Sequence, residues 1–78
     1  VIVLDSNILI RAVLGHRVRW LLEEYAGRGI RFYAPDAAFD DAQRYLPTLL
    51  EKRGKSTADV SAMLMYLQTL IEPADLET

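Results

Sequence analysis

Four large apolar residues, Val1-Ile2-Val3-Leu4, run directly into Asp5-Ser6-Asn7, and no other stretch limits the fold as strongly. Uninterrupted β-branched bulk suits a strand covered on both faces and flanked on both edges, as in a parallel sheet. The acid that follows stands at the strand's carboxyl end, where ligands and catalytic groups gather in open α/β sheets. Asp5 is therefore a candidate metal ligand. A plainer role competes with this one, because Asp, Ser and Asn all accept bonds from the orphan N–H groups that open a helix. Ser6 or Asn7 alone suffices for capping, which leaves Asp5 as an extra acid that has to be solvated, paired or metal-bound.

The spacing predicts a first helix from Ser6 or Asn7 to about Leu14, closed by Gly15. Val18, Leu21, Leu22, Tyr25 and Ala26 share one face of a second helix, which Gly27 and Gly29 end. A second strand is expected over residues 30–34, so that strand, helices and strand form a right-handed parallel unit. Pro35-Asp36 opens a third helix with Asp36 as its N-cap and Phe39, Ala42, Leu46, Leu49 and Leu50 among its apolar positions. Pro47 inside it predicts a bend or break near Gln43, since the ring meets the carbonyl four residues back. Ser56-Thr57-Ala58-Asp59 has the pattern of a helix start. The stripe Val60, Met63, Leu64, Leu67, Leu70 and Ile71 then predicts a fourth helix, stopped by Pro73 and followed by a short polar tail. Two strands and about four helices make a small inventory for an α/β domain, so the 78 residues are expected to be one part of a single larger domain.

Composition removes several chemistries. With no cysteine and one histidine, His16, disulfides, thiolate zinc sites and multi-histidine metal sites are excluded. A formal net charge of -2 argues against a strongly basic nucleic-acid coat but leaves room for local cationic patches. No apolar run is long enough for a bilayer span, and a soluble cytoplasmic protein is the default expectation.

Among the later acids, Asp40 is expected on the polar side of the third helix beside Gln43 and Arg44. Asp41 neighbours Ala37, Ala38 and Tyr45 at helical spacing and so lies along the margin of the buried face. Small alanines there leave room for an ion or substrate, while a first-turn acid favoured by the helix dipole is the plain alternative. Asp5 and Asp41 brought together would make a hard oxygen site suited to Mg2+ or Mn2+. Glu51, Asp59 and Glu72 read as solvated positions or caps, and Asp75 and Glu77 as part of a frayed end. Arg11, Arg17 and Arg19, then Arg28 and Arg31, then Lys52, Arg53 and Lys55 form cationic groups that could meet phosphates, although mixed charge on solvated faces is the commoner explanation.

The apolar segment ending in Asp5-Ser6-Asn7 resembles the opening of a PIN domain. Tyr33-Ala34-Pro35-Asp36, leading to Phe39-Asp40-Asp41-Ala42 and Tyr45-Leu46, is similar to that family's second strand and the helix after it. The resemblance covers the whole chain as the N-terminal portion of such a domain. It implies a three-layer α/β/α fold around a parallel sheet, incomplete in this chain, and a Mg2+- or Mn2+-dependent ribonuclease. Asp5 and Asp41 are then the metal ligands and catalytic acids, with Asp41 standing where the family usually has Glu and reaching one methylene less far. Ser6 or Asn7 would steady the site by hydrogen bonding. Many members are toxins of the VapC type, which implies an RNA substrate, an antitoxin partner and a homodimer. A degenerate, non-catalytic interaction module is the alternative.

Overall fold

The computed structural model describes residues 2–74. Their order is β1 (Ile2–Val3), α1 (Ser6–Leu14), α2 (His16–Gly27), β2 (Phe32–Pro35), α3 (Asp36–Lys52), α4 (Val60–Leu67) and β3 (Ile71–Ala74). All three strands are parallel and lie in the order β1-β2-β3, with Ile2 and Val3 opposite Phe32 and Tyr33, and Phe32 and Tyr33 opposite Ile71 and Glu72. Each neighbouring pair is joined by a two-helix crossover. Both crossovers step across the sheet in the same direction, and right-handed connections therefore place all four helices on one face.

Burial follows that arrangement. Phe32, Ala34 and Ile71 point into the helical layer and are buried among Leu9, Ala12, Leu22, Ala38, Phe39, Ala42, Leu46, Leu50, Val60, Leu64 and Leu67. The row Val3, Tyr33 and Glu72 points the other way, and Val3 is 64% exposed. This is an α/β fold with a parallel sheet, as the sequence predicts. β1 itself differs from expectation. Its ladder assignment covers two residues, both exposed, because a strand at the end of the order has one neighbour and here one covered face; Val1 lies outside the described residues.

The larger departure is β3. The apolar stripe of α4 ends at Leu67, and the last carbonyls are closed by tight i to i-3 bonds, from the Thr69 amide to Tyr66 at 2.9 Å and from the Leu70 amide to Leu67 at 3.0 Å. Ile71 keeps helical spacing with Leu64 and Leu67 by coincidence and is in fact fully buried in the sheet. Pro73 does not stop a helix but sits in an outer strand, where a missing N–H is tolerated. The polar tail beyond Ala74 lies outside the described residues.

Smaller differences have local causes. α3 runs unbroken through Pro47, because it buries Leu46 and Leu50 on either side of the proline; this packing outweighs one lost backbone bond. Ser56 accepts the Ala58 amide at 3.1 Å and so caps a turn, and α4 starts only at Val60. On α2, Leu22 is buried while Leu21 and Tyr25 are exposed, since this helix packs chiefly along α1. Its end is set by Gly29 at φ +90, whose amide reaches Ala26 while the Ile30 amide reaches Tyr25, the paired closure that needs a left-handed residue. No helix among the described residues is long and apolar enough to cross a membrane.

Candidate catalytic edge of the sheet

The β1–β2 ladder continues past its assigned end through the Leu4 amide, which donates to the Tyr33 carbonyl at 2.7 Å. Extending that register puts Asp5 level with Pro35. Asp5 and Asp36 thus leave the sheet together at its carboxyl edge, one at the start of α1 and the other at the start of α3. Asp36 is the first residue of α3 and not its cap; Pro35 holds the N-cap position. An exposed acid in that first turn complements the helix dipole.

Capping of α1 falls to Asp5 itself, a correction to the expectation that Ser6 or Asn7 would do it. The Ile8 amide donates to Asp5 Oδ1 at 3.1 Å, and the Leu9 amide reaches the Asp5 carbonyl at 3.4 Å. Ser6 and Asn7 are already helical, half-buried and exposed respectively. One carboxylate oxygen of Asp5 is engaged by the cap, and the second faces solvent beside the sheet edge. The cap and a ligand role can therefore coexist in one side chain.

Asp41 lies five residues into α3, about 7.5 Å along the axis from Asp36 at 1.5 Å per residue. It is half-buried beside the deeply buried Ala38 and Ala42, whereas Asp40 is exposed. α1 and α3 are packed against each other, so Asp5 and Asp41 belong to adjoining helices. Among the described residues no group of three or more acidic or histidine side chains converges. Asp75 follows β3 as Asp5 follows β1, but it lies outside the described residues. Asp36, whose position in the sequence suggests only a cap, is a sheet-edge acid as well. The strand-then-acid pattern of Leu4-Asp5, repeated in Pro35-Asp36, carried the signal.

Acids gathered where parallel strands hand over to helices define this molecule as an α/β protein with an oxygen-rich sheet edge. The comparison with protein families narrows that class: the model of the PIN domain matches residues 3–78, and the chain belongs to the PIN-domain family. No curated protein and no solved structure matches it. Members of the family typically bind divalent metals. The donor chemistry here fits such an ion, since aspartate oxygens suit Mg2+ and Mn2+, and Asp5 keeps one oxygen outside its cap.

Proposed function

We propose that the chain carries part of the catalytic site of a divalent-metal-dependent ribonuclease, with Asp5 and Asp41 as metal ligands. The supporting observation is Asp5, an acid at the carboxyl edge of a parallel sheet in a PIN-family chain. Bound Mg2+ or Mn2+ would supply an activated water and neutralise charge on a phosphate oxygen. The protein's own part is positional. The Ile8 amide fixes Asp5 Oδ1 and thereby orients the other oxygen, while α3 holds Asp41 beside the small Ala38 and Ala42. Ser6 and Asn7 line the first turn of α1 and support the site.

A toxin role, held in check by an antitoxin or exercised as a homodimer, belongs to the same reading. It is favoured by the exposed apolar side chains Trp20, Leu21 and Tyr25 of α2 and Met65 and Tyr66 of α4. A non-catalytic PIN module is the second reading, and the lack of a three-acid cluster among the described residues favours it. Cleavage of single-stranded RNA in Mg2+ or Mn2+ by the full-length wild-type protein and by its Asp5→Asn variant separates the two. The ribonuclease reading expects cleavage that the variant loses at unchanged circular dichroism. Turnover equal to wild type removes Asp5 from the mechanism, and absence of Mn2+-induced line broadening at Asp5 and Asp41 favours the non-catalytic module.

A further inference from the structure

A recess of about 230 Å3 opens where three helix ends meet, lined by Arg11, Leu14, Gly15, Arg17, Val18 and Arg53. One water needs only ~10–15 Å3, so the recess admits a polyatomic group. Arg11 comes from the last turn of α1, Arg17 from the first turn of α2, and Arg53 caps α3. The ion pair formed among the described residues is Arg28 with Glu24; none of the three lining arginines has a carboxylate partner there. Arg53 is held in place by a two-bond helix closure, with the Gly54 amide on Glu51 and the Lys55 amide on Leu50, allowed by Gly54 at φ +68. Lys52 and Lys55 flank it in the sequence.

Helix dipoles account for Arg11 and Arg53 singly, because cations favour helix C-termini. They do not account for Arg17 at a helix start, nor for three arginines lining one concavity in a chain whose net charge is -2. Guanidinium groups match phosphate oxygens in planar, two-pronged geometry, and the apolar floor of Leu14 and Val18 suits a sugar. We propose that this recess binds a sugar-phosphate unit of a single-stranded RNA backbone. It lies at the far ends of α1 and α3 from Asp5 and Asp36, so it would hold a segment of the strand remote from the carboxylate edge. The proposal rests on the ribonuclease reading for its choice of RNA.

The test is binding without cleavage. Labelled oligouridine is titrated with the full chain in EDTA over a range of salt, and fluorescence anisotropy gives the slope of log K against log salt. Each neutralised phosphate of a single strand contributes about -0.7 to that slope. Replacing Arg11, Arg17 and Arg53 together by Gln is expected to flatten it by about 0.7, the share of one phosphate. The corresponding Lys variant should retain most of the slope and serves if the Gln variant does not fold. An unchanged slope in the Gln variant overturns the proposal. So does inorganic phosphate binding that the Gln variant loses while its RNA slope stays intact, since the ligand is then a free anion. The titration is run in EDTA and reads binding alone, so an inactive nuclease leaves this result readable and failure here leaves the metal site untouched.

Discussion

Asp5 has two duties that ordinary truncation would confuse. Its Oδ1 caps α1, and loss of such a cap costs about 0.5–2 kcal/mol. Asn caps as well as Asp does but lacks the charge that binds a divalent ion. Asp5→Ala should therefore lower the urea midpoint, whereas Asp5→Asn should leave it nearly in place, and both should abolish RNA cleavage. Equal destabilisation by the two variants would show that the charge, and not the capping geometry, secures the helix start. The place of Asp5 at a strand end was legible from Val1 to Asn7 because an apolar run meeting an acid has few solutions. Its capping duty was legible only as one of three options, because Asp, Ser and Asn are near equals at that position and only backbone geometry chooses among them.

Among the elements, α2 and α4 are tied by the Tyr66 hydroxyl donating to Glu23. That bond raises the Tyr66 pKa above the ordinary tyrosine value of 10.0, with slight desolvation and the Glu23 charge acting in the same direction. A folded-state pKa above the unfolded one means that the contact's stabilisation is fully present below pH 10 and fades as pH rises through the folded value. Tyr66→Phe is accordingly expected to melt earlier than wild type at neutral pH, with the gap closing in strong alkali. In a spectrophotometric titration it should also lose a tyrosine whose ionisation lies above the ordinary value. A pH-independent gap would assign the loss to packing. No sequence pattern announces this contact, since the two residues are 43 positions apart. The same limit applies to β3: helical periodicity carried on through Leu70 and Ile71, and only the neighbouring Phe32 and Tyr33 decide that Ile71 belongs to a ladder. Four helices, two strands and the parallel crossover were readable because their apolar spacing and glycine stops are local signals.

For the molecule as a whole, the strand order β1-β2-β3 makes β2 the sole strand with two partners among the described residues. Its residues Phe32 and Ala34 are also buried under the helices. Amides of β2 are expected to exchange with solvent only on global opening, while those of β1 and α2 exchange through smaller openings. Native-state hydrogen exchange measures this directly. Protection of β1 equal to that of β2 would require cover that the one-sided helical layer does not give.

That one-sidedness leaves Val3, Tyr33 and Glu72 as a stripe on the bare side of the sheet. Two such flanks laid together would bury greasy surface, yet they would also trap a carboxylate from each copy. Glu72→Leu is accordingly expected to promote association of this chain, read as a larger sedimentation coefficient at raised concentration, and an unchanged coefficient would show that the carboxylate does not limit contact through this face.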